Sequence, residues 1–295
     1  MKTAFVFPGQ GAQYVGMALE LYEKYNECRE VIELASDVLD YDVKHVMFED
    51  KNMLDQTEYT QATLLTACLC MKTYAEMQGY HADMSAGLSL GEYGALVTAG
   101  SLSIADALKL VRGRGILMQN AVPIGKGSMA AIINVPSERV ESVCMKVYKE
   151  TGLCVQVSNY NCPGQVVISG ETMAVDQVCE ELKDEARLVS KLQVSVPSHC
   201  ELMKDAAEKF QKELVDVTFH KPCIPYICNA EGKKIETEER ISELLVKQLY
   251  MPVRWEKSVR CMIEEGCDTF IEIGPGNTVN KLIKKINNGV TLINL

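Results

Sequence analysis

The chain has 295 residues, 47% of them apolar, and its 40 acidic and 30 basic side chains give a formal net charge of −10. This length and apolar content fit one large domain, or a large domain carrying an insert. The acidic balance (pI about 5.1) argues against a general polyanion binder, so no nucleic-acid partner is expected, although a local basic patch is compatible with it. The 12 cysteines show no Cys-x-x-Cys spacing, and His45, His81, His199 and His220 are scattered. Reduced thiols in a cytoplasmic protein are therefore expected, with no zinc site and no cofactor. The apolar run at residues 4–7 is too short for a signal peptide. No apolar stretch reaches the ~18 residues of a membrane span.

Residues 3–7 are β-prone and read as a buried strand, which Pro8-Gly9-Gln10-Gly11 turns towards a helix over 14–25. Two glycines flank Gln10, so its backbone N–H can approach a ligand closely. Ordinary α/β turns look the same. Helices are expected over 27–39 and 60–78. Small residues at 82–86 suit a short buried strand. They lead into Gly87-Leu88-Ser89-Leu90-Gly91 and a helix over 90–99 that Gly100 stops. Gly-x-Ser-x-Gly suits a sharp strand-to-helix turn that lifts a serine hydroxyl clear of a sheet. Ser89 and Glu92 also form Ser-x-x-Glu, an ordinary helix-capping box, so the motif alone leaves both readings open.

Ser103-x-x-Asp106 marks the capped start of a helix running to about Gln119. Arg114 shares a face of that helix with Leu110 and Met118. Gly113 and Gly115 bracket it, each costing the helix ~1 kcal/mol relative to alanine. Close packing, or room for a substrate beside Arg114, would account for them. The pattern then changes to strand 128–135, helix 137–150, strands 153–159 and 165–169, helix 172–185 and strand 187–194. That β-α-β-β-α-β order is the ferredoxin-like arrangement. Pro123-Ile124-Gly125 and Pro197 bound it. Residues 124–196 are therefore expected to form a ferredoxin-like subdomain inserted into a larger one made of 1–123 and 197–295.

Beyond it, Ser198 and Glu201 form another capping pattern. His199 would then lie in the first turn of an amphipathic helix over 201–216. The positive helix end disfavours an imidazolium, which suits a general base. A strand over 223–228, helices over 242–250 and 255–265, a strand over 269–273, a helix over 277–286 and a closing strand over 290–293 follow. Strands alternating with helices at this spacing imply a mainly parallel sheet covered on both faces.

Several short signatures stand in one order: Phe7-Pro8-Gly9-Gln10-Gly11, Gly87-Leu88-Ser89-Leu90-Gly91-Glu92-Tyr93, Arg114-Gly115 with Met118-Gln119, and Asn161-Cys162-Pro163-Gly164-Gln165. Val196-Pro197-Ser198-His199, Gln248-Leu249-Tyr250 and Ile273-Gly274-Pro275-Gly276 complete the series. Together they resemble the malonyl-CoA:acyl-carrier-protein transacylases of bacterial fatty-acid synthesis. The acyltransferase domains of polyketide synthases are similar. The resemblance spans nearly the whole chain. It implies an α/β-hydrolase-like large domain with a ferredoxin-like insert, and transfer of malonyl from malonyl-CoA to acyl carrier protein through a malonyl-serine. Ser89 would be the nucleophile and His199 the base and acid. The backbone N–H groups of Gln10 and Leu90 would form an oxyanion hole, and Arg114 would bind the malonyl carboxylate. The backbone carbonyl of Gln248 would orient His199 in place of a triad carboxylate. Of the aspartates between Ser89 and His199, none of Asp106, Asp176 and Asp184 is an obvious third member. The family more often has histidine where this chain has Leu88. A monomer is expected from the resemblance. An acidic carrier needs a local basic surface, for which Lys126, Lys191 and Arg187 are candidates because they belong to or border the insert. Rival readings are a stand-alone polyketide-loading acyltransferase, an acyl-thioester serine hydrolase, and a non-catalytic carrier binder.

Overall fold

Alternation in the first strand sets the layering. Along β1 (Lys2–Phe7), successive side chains point to opposite faces. Ala4 and Val6 join one buried cluster, with Trp255 and Phe270. Phe5 and Phe7 join the other, with Ile32, Leu65 and Leu96. A strand buried on both faces belongs in the middle of a sheet, and β1 lies there. The computed structural model describes residues 2–295 apart from 193 and 195.

The remaining strands are β2 (Met84–Gly87), β3 (Gly127–Ile133), β4 (Val155–Cys162), β5 (Gln165–Glu171), β6 (Leu188–Lys191), β7 (Tyr226–Cys228), β8 (Lys233–Ile235), β9 (Cys267–Glu272) and β10 (Thr291–Asn294). Among the described residues they form two sheets. The larger has the order β10-β9-β1-β2-β7-β8. Its pairings are parallel except for the antiparallel β7–β8 edge. The smaller sheet has the order β4-β5-β3-β6 and is antiparallel throughout. It has its own core, in which Ile132, Val140, Ile168 and Val178 meet. The two bodies touch where Val253 pairs with β4, its O accepting the Tyr160 N–H at 2.9 Å and its N–H donating to Ser158 O at 2.8 Å.

Most of the expected elements lie within a few residues of where the sequence puts them. The helix expected over 14–25 is shortened to Leu19–Lys24, because Gly16 and Ala18 take left-handed φ values of 90° and 61°. Strand β8 and the short helices Val43–Phe48 and Lys51–Leu54 carry too few residues for a periodic signal. The last expected strand of the insert ends at Lys191, and part of its expected span lies outside the described residues. The Ser198–Glu201 capping box does not form. Residues Glu201–Met203 make a 3-10 turn before the helix Lys204–Glu213, and neither start has a side-chain cap. His199 lies ahead of both, with φ of 59°, so the helix-end argument for its proton affinity does not apply.

Two glycines make the β2-to-helix turn possible. A Cβ on Gly87 would collide with the backbone of Gly91 and Glu92, and one on Gly91 with the Phe7 carbonyl and, at 2.8 Å, the Pro8 carbonyl. Helix Gly91–Thr98 is thereby pressed against β1. None of these neighbours is a flexible side-chain end, so relief requires backbone movement. Gly91→Ala should therefore lower stability by at least ~2 kcal/mol, as for other overpacked sites. A urea midpoint equal to that of the parent would contradict this account.

Candidate active site

Ser89 lies between the end of β2 and helix Gly91–Thr98, in a left-handed conformation with φ of 54°. A non-glycine residue is held there only when its surroundings over-determine it, and those surroundings are visible. The Asn229 side chain accepts the Ser89 N–H at 2.7 Å and donates to Gly87 O at 2.7 Å. The Gln248 Nε2 donates to Ser89 O at 2.8 Å. Ser89 Oγ makes no cap to the helix; it lies 2.7 Å from His199 Nε2. The capping-box reading of Ser89 and Glu92 is thus excluded.

The proton positions follow from the partners. His199 Nδ1 is 2.6 Å from the backbone oxygen of Gln248, which can only accept, so Nδ1 carries the hydrogen. The ring is 2% exposed. Burial, reinforced by the Arg114 cation and offset by the Gln248 carbonyl, lowers its pKa to about 3. The ring is therefore neutral near pH 7, and its Nε2 lone pair faces the serine hydroxyl. Residues 110 positions apart in the chain meet because the turn at 199 packs on the end of helix Ile241–Tyr250, where His199 N–H also donates to Leu249 O at 3.0 Å.

Arg114 enters from helix Ile104–Gln119. Its bracketing glycines serve close packing. Gly115 faces the Thr57 carbonyl, 2.9 Å from where a Cβ would stand, and Gly113 faces the Glu213 carboxylate. The guanidinium is 1% exposed. It donates to Gln61 Oε1 at 2.6 Å, Gln248 Oε1 at 2.9 Å and Ser89 Oγ at 3.2 Å, and lies 6.0 Å from the Tyr93 ring centroid. All three acceptors are neutral. Burial lowers its proton affinity, opposed by Tyr93 and Glu92.

Gln10 and Leu90 lie on adjoining loops, joined where Leu88 N–H donates to Phe7 O at 2.9 Å. Gly9 packs edge-on against the Leu88 carbonyl, 2.6 Å from where its Cβ would stand. Among the described residues, neither the Gln10 nor the Leu90 backbone N–H has an acceptor. The Gln10 side chain is held aside by Thr57 Oγ1 at 3.2 Å. Leu88 points away into the apolar layer beneath the sheet, as a partly buried neighbour of the cluster around Trp255.

Sequence reasoning did not select Gln61, Glu92 or Asn229, nor the side chain of Gln248. Glu92 is fully buried, and its Oε2 accepts from Asn229 N–H at 3.1 Å and Gln248 Nε2 at 2.8 Å. The usable signal was polarity in apolar company. Gln61 opens the apolar stretch of a helix, and Asn229 follows the carboxyl end of a parallel strand, where sites in open α/β sheets gather.

The buried neutral imidazole has a measurable consequence. Its folded pKa lies below the unfolded value, so the unfolded chain binds the extra proton. The stability this burial contributes is intact above about pH 6.5 and is lost as pH falls towards 3. The ring nitrogen resonances of His199 should stay unchanged from about pH 8 to pH 5 in a 15N NMR titration. A step near 6.5 would show that the ring is not held neutral.

Comparison with known proteins agrees in extent and in kind. A family model described as an acyl transferase domain matches residues 4–289. A malonyl CoA-acyl carrier protein transacylase of Bacillus subtilis is 43% identical over 289 residues, covering 97% of this chain and 90% of that protein. One from Staphylococcus aureus is 40% identical, covering 100% and 95%. The crystal structure of the Clostridium perfringens malonyl CoA-acyl carrier protein transacylase superposes with a TM-score of 0.96 at 39% identity, covering 100% and 93%. A malonyl-transacylase solved in complex with its type II polyketide synthase acyl-carrier protein also gives 0.96 at 39%, covering 100% and 96%. With a family model spanning almost its whole length and relatives this similar over nearly all of theirs, the chain belongs to the acyl transferase family.

Proposed function

We propose that the protein moves a malonyl group from malonyl-CoA to the phosphopantetheine thiol of an acyl carrier protein by way of a malonyl ester on Ser89. The observation that carries this reading is the buried Arg114 guanidinium, whose Nη2 lies 3.2 Å from Ser89 Oγ while the same oxygen lies 2.7 Å from His199 Nε2. A nucleophile with a base on one side and a buried cation on the other suits an acyl donor that ends in a carboxylate. The Bacillus and Staphylococcus relatives carry names that state this activity.

In this mechanism His199 Nε2 takes the Ser89 hydroxyl proton as Oγ attacks the thioester carbonyl. The carbonyl electrons move onto oxygen, where the Gln10 and Leu90 N–H groups receive them. One such donor is worth ~3–4 kcal/mol. The Gln248 carbonyl stabilises the imidazolium through Nδ1–H. Collapse of the tetrahedral centre breaks the C–S bond, and the departing coenzyme A sulfur takes the proton from Nε2. The carrier thiol then gives its proton to His199, attacks the ester and regenerates the Ser89 hydroxyl by the same steps reversed. Guanidinium and carboxylate pair through parallel hydrogen bonds, and an acetyl group leaves that partner unfilled.

The larger body reads as α/β-hydrolase-like, because the serine turn joins a parallel strand to the helix behind it. The insert reads as ferredoxin-like: counted within residues 124–196, the strand order β4-β5-β3-β6 is second, third, first, fourth. No helix among the described residues is long and apolar enough to cross a membrane. A cytoplasmic monomer acting on a diffusing carrier is part of the same proposal. Of the cations singled out for carrier docking, Lys191 is paired with Asp176 at 2.5 Å, which leaves Lys126 and Arg187 as the stronger candidates. The carrier-bound neighbour favours testing a polyketide carrier beside a fatty-acid carrier, and the faster acceptor identifies the pathway.

Intact-protein mass spectrometry after mixing with malonyl-CoA should show one added malonyl group, absent from Ser89→Ala. An unmodified parent protein, or steady hydrolysis exceeding transfer, would overturn the reading. Arg114→Ala should lose malonyl transfer by ~100-fold or more in kcat/KM, the scale of a broken buried ion pair, with acetyl transfer affected far less. Equal losses for the two donors would remove Arg114 as the carboxylate clamp.

A further inference from the structure

Glu92 is a fully buried carboxylate that the transfer steps above do not use. It is joined to Arg114 by a single amide. Arg114 Nη2 donates to Gln248 Oε1 at 2.9 Å, and Gln248 Nε2 donates to Glu92 Oε2 at 2.8 Å. The amide therefore presents its oxygen to the cation and its nitrogen to the anion. That orientation suits a cation on one side and an anion on the other, and the Ser89 carbonyl, which accepts from the same Nε2 at 2.8 Å, fixes it further. Among the described residues, the guanidinium makes no direct carboxylate contact; its acceptors are Gln61, Gln248 and Ser89. The second Glu92 oxygen, Oε1, is buried without a partner.

The other groups that face Glu92 carry no charge near neutrality. Tyr93 on its own helix, Tyr226 and Cys228 on β7 are all buried, and burial pushes each well above its usual pKa. Asn229 contributes only a backbone N–H. Among the described residues, Arg114 is thus the one cation acting on Glu92, and Glu92 the one carboxylate acting on Arg114.

Resting on the malonyl reading of the site, we infer that Glu92 is the resident counter-ion of the empty acyl pocket: it balances Arg114 through the Gln248 amide, and takes a proton from solvent when the substrate carboxylate arrives. Two buried carboxylates around one guanidinium cannot both stay ionised at low cost. The incoming carboxylate holds the direct, bidentate position, so the remote one is neutralised. The proton returns to solvent when the acyl group leaves on the carrier. Burial already raises the Glu92 pKa to about 7 against the lowering effects of Gln248, Asn229 and Arg114, so weakening the hold of Arg114 moves it across neutrality. His199 starts from about 3 and remains neutral when the same anion binds. Gln248 consequently serves two roles at once, with its backbone oxygen on His199 and its side chain between the two charges. Glu92 acts through it as a positioning residue.

The test is isothermal titration of malonyl-CoA into Ser89→Ala, which cannot be esterified, in two buffers of different ionisation enthalpy. At about pH 8 malonyl-CoA binding should take up most of one proton, while acetyl-CoA takes up none. By about pH 5.5, where Glu92 is already protonated and the malonyl carboxylate is not, the uptake should vanish. The same uptake should be absent at about pH 8 from Ser89→Ala carrying Glu92→Gln. Proton uptake that persists in the double variant, is equal for acetyl-CoA, or is unchanged at the lower pH overturns the role given to Glu92. The pH comparison needs no substitution at Glu92, so it decides the matter even if the double variant fails to fold. A normal malonyl ester on the parent protein with no proton uptake sinks this inference alone; absence of the ester sinks the malonyl reading beneath it.

Discussion

A guanidinium held out of water beside a serine hydroxyl is the constraint around which the site is built. Removing such a charge from solvent costs several kcal/mol unless polar groups replace the lost hydration. Here the replacement comes from three separate segments: Gln61 on one helix, Gln248 on another and Ser89 on the strand turn. Because each segment is needed to satisfy one cation, the cation also registers the segments against one another. The polar cluster acts as a template for placement as well as a candidate for binding.

Gln248 is where that registration becomes chemistry. Its backbone oxygen fixes the His199 tautomer, and its side chain bonds Ser89 O, Glu92 and Arg114. A carboxylate in the place of the backbone oxygen would raise the imidazole pKa and draw a full charge towards Arg114. A carbonyl orients the ring with a dipole alone, leaving a neutral ring beside a permanent cation. The proposed base therefore rests neutral beside an arginine whose charge disfavours its protonation. The buried Glu92 carboxyl is placed one amide away from that cation.

The scaffold supports this with little freedom. Gly87 and Gly91 let the helix after β2 sit against the β1 backbone, which brings the Ser89 turn beside the Gln10 loop. The left-handed backbones of Ser89 and His199 are strained positions in two residues whose side chains meet. Each is held by bonds from elsewhere in the chain, Asn229 and Gln248 for the first and Leu249 for the second.

The sequence by itself determined the parts governed by local rules: the β-prone strand at 3–7, the capped helix from Ser103, whose Oγ accepts the Asp106 N–H at 3.0 Å, the β-α-β-β-α-β order of elements within 124–196, and the glycine-serine-glycine turn. Short motifs in a fixed order singled out Ser89, His199, Arg114 and the Gln248 carbonyl, which the structure brings within hydrogen-bond reach of one another in turn. It misread the setting of His199, because a capping pattern is a local signal and tertiary packing overrode it with a left-handed turn. Gln61 and Asn229 carry only the weak signal of polarity in apolar company, and nothing in a linear string distinguishes a buried Glu92 from a solvated glutamate. Only the tertiary structure decided which polar groups share a dry interior, since burial is set by what packs from distant segments. That shared desolvation makes the His199 ring neutral, turns Glu92 into a group poised near neutrality, and leaves one guanidinium facing one hydroxyl.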